Sequence, residues 1–321
     1  IYIFICMKDH KKKAKEILLS NRLDNYTIPS NNLYKHLWSW DSGWISFGLN
    51  IINEVDHAEK EMNYLFDHQW SNGLLPSIIF NLNEIDYFPG PNIWELDKYA
   101  NKLTSKFNTT GIVQPPIHSY ACLNIYRNSK NIKFLSNIYP KLLKWHNYLY
   151  QERDLHNDGI VYIRHPWESG MDNSPLWDDS LDKIKIDLFK YSKYRIDNKK
   201  VDSKERPTDL IYEKYIKLIE IFKECYFDEK LIFKKTKFAV QDVLFNVLLL
   251  KSNIALLNIA QILEKSNDYG LLSNWINKTE NSINNKLFIN DFYYDFDLIS
   301  NKSIKIKTIT GLSPIILSNK H

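Results

Sequence analysis

The apolar residues of this chain are spaced mainly as in amphipathic helices. In residues 8–20, for example, Ala14, Ile17, Leu18 and Leu19 cluster on one helix face, and the basic run over residues 10–13 is typical of a solvated face. Strand-like alternation is weak before residue 292. The pattern predicts helices over residues 8–20, 42–55, 57–69, 116–127, 132–152, 209–225, 240–250, 253–266 and 271–287, then a hairpin or loop over 292–317.

Long connections separate the predicted helices. Residues 73–111 and 154–174 are rich in turn residues and carry most of the unusual side chains. Paired helices joined by long loops, without a sheet, are typical of an all-α toroid. Because the connecting loops of such a fold meet at one end, we expect a functional site there.

Composition and charge narrow the class of protein. Apolar residues make up 44% and charged residues 25% of the 321 residues, as in globular proteins. The formal charge of +4, from 42 basic and 38 acidic residues, is too small to indicate a nucleic-acid-binding surface. The 9 Trp, 20 Tyr and 16 Phe suit either a core or a site that stacks sugar rings.

Cysteine and histidine usage indicates neither a disulfide framework nor a metal site. Cys6, Cys122 and Cys225 are widely spaced, and the 9 histidines lack ligand spacing. The apolar segment over residues 1–6 is too short for a signal peptide or a membrane span, and Met7 is a candidate start. We therefore expect a cytoplasmic protein without metal, cofactor, membrane or nucleic-acid partner. Its oligomeric state stays open.

The segment over residues 165–179 has the most distinctive composition. It combines several acids, two Trp and one Gly in a predicted loop. A carboxyl group beside apolar rings keeps a proton available for donation, and polar neighbours hold sugar hydroxyls. The alternative is that Asp172, Asn173 and Ser174 cap a helix that begins at Pro175. The residues alone favour neither interpretation.

Two other segments place aromatic or amide side chains beside loops. Trp38 and Trp40 lie two residues apart, so in an extended chain both face the same side, ahead of a helix starting at Asp41 and Ser42. The alternative is a capped helix with two packed indoles. Gln114 lies in a loop stiffened by two prolines, where its amide suits a ligand hydroxyl. Taken alone, a structural role for Gln114 is the more common outcome.

The three segments, taken in order, resemble one family of glycoside hydrolases. They are Tyr-x-x-x-Trp-x-Trp-Asp-Ser at 34–42, Gly-Ile-x-Gln-Pro-Pro at 111–116 and His-Pro-Trp-Glu-Ser-Gly-x-Asp-Asn-Ser-Pro-x-Trp-Asp at 165–178. This order is similar to the mannosylglycerate- and glucosylglycerate-hydrolase branch of the bacterial relatives of processing α-glucosidase (family 63), and more distantly to trehalase. The likeness extends over residues 14–317.

The resemblance implies an (α/α)6 barrel that forms a single glycoside hydrolase domain over residues 1–321, acting with inversion. Asp172 takes the position of the family's general acid, which protonates the glycosidic oxygen while a second carboxylate activates water. The family's substrate-binding positions fall on Tyr34, Trp38, Trp40, Asp41, Gln114, Trp167 and Gly170.

The chain also departs from the family pattern. Met171 and Leu176 replace a frequent Trp and a frequent Arg. The family's general base is a Glu well beyond the Gly-Leu-x-Pro-like stretch that here occupies residues 311–314. The predicted helices are also fewer than a closed barrel needs. We therefore expect a fragment that lacks its last helices, with the general base beyond the chain end.

The leading hypothesis is an inverting hydrolase of an α-glucoside or α-mannoside of a small acid or polyol, such as glucosylglycerate or mannosylglycerate. Arg164 and Arg206 are candidates for the carboxylate of a glycerate aglycone, against the commoner role of bracing a loop. The alternative function is a catalytically inactive carbohydrate-binding remnant of the same fold. Residues 154–159 resemble a calcium loop, but they lack the required bidentate Glu, which favours a tight turn.

Overall fold

The computed structural model of the chain describes residues 2–317, with side chains from residue 10 onward. Residues 1 and 318–321, which belong to the predicted domain, lie outside the described residues. The α-helices are α1 Tyr2–Ser20, α2 Ser39–Ile51, α3 Val55–Phe66, α4 Pro91–Trp94, α5 Leu96–Tyr99, α6 His118–Ser129, α7 Ile132–Glu152, α8 Asp178–Asp182, α9 Asp197–Lys200, α10 Asp209–Glu224, α11 Glu229–Lys235, α12 Val243–Ile262 and α13 Tyr269–Ser282.

Successive long helices pack in pairs: α2 with α3, α6 with α7, and α12 with α13. Helix α6 also contacts α2 and α12, so the pairs lie side by side. The main hydrophobic core lies between them and includes large side chains such as Trp70, Trp145 and Phe222. This pairing is the arrangement that the helical periodicity predicts.

Short antiparallel strands join the loops between the helix pairs. They are β1 Leu37–Trp38, β2 Ile78–Ile79, β3 Val240–Gln241, β4 Phe288–Ile289, β5 Phe292–Tyr293, β6 Phe296–Asp297 and β7 Lys302–Ser303. Strand β1 pairs with β2, β4 with β5, and β6 lies between β3 and β7. The predicted hairpin or loop over 292–317 contains β5 to β7 and ends in a 3-10 helix, Ile309–Leu317.

Helix α12 corrects the prediction of two separate helices over 240–250 and 253–266. Ser252 and Asn253 interrupt the apolar pattern, yet both are buried within the helix. The backbone N–H of Ser119 donates to Ser252 at 3.1 Å, and the amide of Asn253 bonds to His146 and to Tyr150, each at 2.6 Å. Because α6 and α7 satisfy these polar groups, the helix continues through them.

Helix α12 is also long and apolar enough to cross a membrane by length and composition. In the folded protein, 72% of the most apolar stretch of α12 is buried. The core helix of a globular protein has the same properties.

Helix α11 was not predicted, because seven residues are too few to show a helical period. The carboxylate of Asp228 caps it by accepting from Leu231 N at 2.9 Å, and Ile232 is buried beneath it. The cap also places Glu229, the first residue of the helix, in the protein interior.

Candidate active site

A pocket lined by loop residues holds most of the predicted site residues. Its empty volume is about 660 Å³, including the solvent space at its mouth. Five predicted residues line it: Tyr34, Trp38, Gln114, Trp167 and Asp172.

Asp172 is held at this pocket by bonds to the backbone of its loop. The hydroxyl of Tyr215 on α10 donates to the carbonyl of Asp172 at 2.8 Å, and the indole N–H of Trp177 donates to the carbonyl of Met171 at 2.9 Å. The side chain of Asp172 reaches solvent at the pocket, although protein surrounds it on its other sides. This partial loss of hydration raises the pKa of Asp172 to about 7, against the opposing effect of Arg206.

The capping alternative for residues 172–174 is also met, through Ser174, the last of the three. Ser174 is the N-cap of a 3-10 helix, Pro175–Trp177, and its hydroxyl accepts from Leu176 N at 3.4 Å. Ser174 therefore starts the helix, and the carboxyl group of Asp172 is left to face the pocket.

His165 fixes the start of the same loop. Its Nδ1 accepts from Trp167 N at 3.0 Å, and its Nε2 lies 3.1 Å from the carbonyl oxygen of Tyr215. Because a carbonyl can only accept, Nε2 carries the proton. Burial lowers the pKa of His165 to about 4, so the ring is neutral and orients Trp167 rather than exchanging protons.

The predicted arrangement of Trp38 and Trp40 on one side of an extended chain is wrong, because α2 begins at Ser39 rather than at 42. Trp38 ends β1 and lines the pocket, whereas Trp40 lies in the first turn of α2. The backbone N–H of Trp40 donates to Gln114 Oε1 at 3.2 Å. The Trp40 ring lies against Gly170, where an added Cβ would come within 2.6 Å of it.

Trp40 and Gly170 therefore do not line the pocket. They contact each other, and Trp40 bonds to Gln114, which does line it. Gly170 has φ +71°, a backbone conformation that favours glycine, and the Trp40 ring leaves no room for a side chain there. Asp41 likewise lies beside the pocket. Burial raises its pKa to about 6, and its charge contributes to the raised pKa of Asp172.

The two arginines considered for an anionic ligand occupy different places. Arg206 lines the pocket, where its Nε donates to Asp197 at 2.8 Å and its Nη1 donates to the Tyr34 hydroxyl at 3.4 Å. Arg164 is fully buried, and its Nη1 lies 3.0 Å from Glu229. Arg164 is therefore out of reach of a ligand, and its candidacy is wrong.

Three aromatic residues of the pocket were not predicted: Tyr87, Trp94 and Tyr212. The hydroxyl of Tyr212 donates to the carbonyl of Phe88 at 2.8 Å, which ties α10 to the loop that carries Tyr87. Tyr87, Trp94 and Tyr212 lie outside the three motifs at 34–42, 111–116 and 165–178, so the sequence did not single them out.

The loop over residues 154–159 forms the predicted tight turn. The Asp154 carboxylate accepts from the N–H groups of Asp158 at 3.0 Å and Gly159 at 2.8 Å. The carboxylate of Asp158 is paired with Lys286 at 2.7 Å. Both carboxylates thus have a structural use, and within residues 2–317 no group of three or more His, Cys, Asp or Glu could hold a metal ion.

An accessible carboxylic acid with a raised pKa, set among Trp and Tyr at the loops of paired helices, suits the acid position of a glycoside hydrolase site. The family model of the mannosylglycerate hydrolase MGH1-like glycoside hydrolase domain matches residues 34–321. The chain belongs to this family.

Named relatives agree with this assignment. The mannosylglycerate hydrolase of Rubrobacter radiotolerans is 39% identical over 309 residues, which cover 94% of this chain and 69% of that protein. The glucosylglycerate hydrolase of Mycolicibacterium hassiacum is 33% identical over 247 residues, 74% of this chain and 55% of that protein.

A solved structure shows the same fold. The GH63 mannosylglycerate hydrolase from Thermus thermophilus, in complex with Tris and D-glycerate, superposes with a TM-score of 0.87 at 34% identity. The match covers 95% of this chain and 72% of that one. The predicted family, the mostly α-helical toroid fold and the glycoside hydrolase class are confirmed.

Proposed function

We propose that the chain hydrolyses an α-mannoside or α-glucoside of glycerate, or of a similar small acid or polyol, with inversion. The observation that carries the proposal is the carboxyl group of Asp172, which faces the aromatic pocket and has its pKa raised to about 7. At this pKa a large fraction of Asp172 keeps its proton near neutral pH. The names of the relatives, mannosylglycerate hydrolase and glucosylglycerate hydrolase, supply the substrate class.

The sugar ring of the substrate would lie against Trp38 and Trp167, which border the pocket together with Asp172. The side chain of Gln114 is fixed by the N–H of Trp40, which leaves its amide N–H groups to donate to sugar hydroxyls. Asp172 would then donate its proton to the glycosidic oxygen as the bond to the sugar breaks.

The aglycone would lie on the side of the pocket that Arg206 borders. The guanidinium of Arg206 is held by Asp197 at 2.8 Å and by Tyr34, so its position is fixed before a ligand arrives. A guanidinium binds a carboxylate through two parallel N–H donors. Glycerate carries such a carboxylate, whereas glycerol does not, so Arg206 supports an acidic aglycone.

A second candidate is a carbohydrate-binding protein without turnover. Among the described residues that line the pocket, Asp172 is the one carboxylic acid. Inverting hydrolysis needs another carboxylate to activate water across the sugar ring. That this base is a Glu beyond the chain end stays a prediction.

The test is to incubate the full chain with mannosylglycerate and, separately, with glucosylglycerate, and to follow the anomeric protons by NMR. Because inversion reverses the configuration at the anomeric carbon, the β-anomer of the free sugar should form first from the α-glycoside. Early release of the α-anomer would contradict inversion. Ligand-induced quenching of tryptophan fluorescence without any sugar release would favour the carbohydrate-binding candidate.

The role of Asp172 has a matched control close by in the sequence, at the first residue of α8. Asp172→Asn should abolish sugar release and preserve ligand binding, because the amide keeps the shape of the carboxyl group and cannot supply its proton. Asp178→Asn makes the same chemical change at an exposed residue outside the pocket lining and should keep most of the turnover. Full activity of Asp172→Asn would refute its assignment as the acid.

A further inference from the structure

Two arginines and two glutamates form a buried ion-pair network behind the pocket: Arg153, Arg164, Glu168 and Glu229. Their exposed fractions are 1%, 0%, 0% and 4%, and their formal charges cancel. Attraction from Arg153 and Arg164 keeps the pKa of Glu168 below its usual value in spite of its burial, so Glu168 is ionised.

Glu168 connects this network to both loops that carry predicted site residues. Its two oxygens accept from the Arg153 guanidinium, each at 3.0 Å. One oxygen also accepts from Val113 N at 3.1 Å, beside Gln114, and the other accepts from Arg164 N at 2.7 Å. A single carboxylate thus fixes the loop of Gln114 against the loop of Asp172.

Glu229 orients the arginines from the opposite side. Its Oε2 lies 3.0 Å from Arg153 Nε, and its Oε1 lies 3.0 Å from Arg164 Nη1. The hydroxyl of Tyr148 donates to the same Oε1 at 2.6 Å. Arg164 in turn donates through Nη2 to the carbonyl of Gly111, at the start of the Gln114 loop.

We propose that Glu229 and Arg153 are positioning residues of the reaction, acting through Glu168 and Arg164 to hold the acid loop and the amide loop at a fixed separation. This inference rests on the proposed function of the site. Neither residue lines the pocket, so neither contacts the substrate. A buried ion network is weak evidence for stability in itself, because apolar residues of similar volume often serve equally well. Here Glu168 and Arg164 each bond to the backbone of the Gln114 loop. Arg153 pairs with Glu168, and Glu229 pairs with Arg164.

The test is Glu229→Gln in the full chain. The variant keeps the shape of the side chain but leaves two buried arginines with a single carboxylate. Because small misplacements of catalytic groups are costly, kcat should fall roughly tenfold to hundredfold, with a smaller change in KM. Looser packing also admits water to Asp172, so the midpoint of the alkaline limb of kcat/KM should move below its value in the unmodified chain.

Hydrogen exchange gives a readout that does not depend on turnover. In Glu229→Gln, amides of residues 111–114 and 165–172 should exchange faster than in the unmodified chain, while amides elsewhere keep their exchange rates. Tyr150→Phe is the matched control, because it removes a buried hydroxyl bonded to Thr279 and Asn253, each at 2.6 Å, outside the pocket lining. It should lower the melting temperature and leave the pH midpoint and the site-loop exchange unchanged.

If Glu229→Gln does not fold, Arg153→Lys replaces it, since lysine keeps the charge but loses the two-pronged contact with Glu168. Absence of turnover in the unmodified chain would refute the proposed function, and the exchange data would still judge the coupling of the loops. Turnover in the unmodified chain, with unchanged kcat, pH midpoint and site-loop exchange in the variant, would overturn the positioning role. A uniform rise in exchange across the whole protein would also overturn it.

Discussion

Replacing Asp295 with Asn is expected to stabilise the folded protein at neutral pH, because Asp295 faces a second buried carboxyl group. The register of β3 and β6 places Gln241 opposite Phe296, so the next opposed pair is Asp242 and Asp295. Both side chains are buried. Each has one oxygen, Oδ2, without a hydrogen-bond partner among the described residues.

The remaining oxygen of each carboxyl group binds the first turn of α12. Asp242 accepts from Phe245 N at 2.5 Å, and Asp295 accepts from Val243 N at 2.8 Å. Two opposed buried carboxylates cannot both ionise without a large cost. Burial raises the pKa of Asp242 to about 7, and burial together with the charge of Asp242 raises that of Asp295 well above its ordinary 3.8.

The sign and size of the effect follow from proton linkage. In the unfolded chain both groups lose their protons near pH 3.8, whereas the folded pair retains protons as the pH rises toward about 7. Stability therefore falls with rising pH through this window. Replacing the carboxyl group of Asp295 removes one proton from the linkage. The free energy of unfolding should then depend less steeply on pH, by about 1.4 kcal/mol per pH unit, or roughly 3 kcal/mol between about pH 5 and 7. The new amide can also donate to the free oxygen of Asp242.

Urea unfolding of the unmodified chain and of Asp295→Asn, measured between about pH 5 and 7, checks this value through the difference in slope. Comparing the two proteins cancels the titration of other groups. Asp291→Asn is the matched control, because Asp291 is exposed in the same region of hairpins and already has φ 63°, which Asn tolerates. Parallel curves for the unmodified chain and Asp295→Asn would refute the reasoning.

Three further predictions concern the pocket. kcat/KM should fall as the pH rises through about 7, because the acid form of Asp172 is lost there; a pH–rate profile without this limb would contradict its role. Arg206→Met should weaken binding of a glycerate glycoside roughly tenfold or more and leave a glycerol glycoside little changed, as calorimetry would show. Gly170→Ala should reduce ligand-induced tryptophan quenching and cost about 1–2 kcal/mol in urea unfolding, since its Cβ meets the Trp40 ring at 2.6 Å and φ is +71°.

Elements with strong local signals were predicted well from the sequence. Helix α7 has the predicted bounds, 132–152, because Asn131 caps it, with its side chain accepting from Phe134 N at 3.1 Å, and its apolar period is regular. The pocket residues Tyr34, Trp38, Gln114, Trp167 and Asp172 were predicted through their motifs. The residues that identify the helix, and those that identify each motif, lie close together in the sequence.

The failures depend on partners that are distant in the sequence. Ser252 and Asn253 looked like a helix break because the groups that satisfy them, on Ser119, His146 and Tyr150, belong to two other helices. The same limit applied to the arginines. Arg164 and Arg206 are equally plausible anion ligands as residue types, and it is tertiary packing that buries one and leaves the other at the pocket.

The acid loop shows why residue types alone left its function undecided. The composition of residues 172–174 suits both a helix cap and a sugar site, and the structure shows the cap at Ser174 and a carboxyl group at the pocket, that of Asp172. Ser174 supplies the cap, and this local structure turns the chain so that Asp172 two residues earlier faces the pocket. The raised pKa of Asp172 then comes from surroundings to which Trp167, Tyr212 and Tyr215 belong. The capping interpretation was therefore a condition of the catalytic one rather than its competitor.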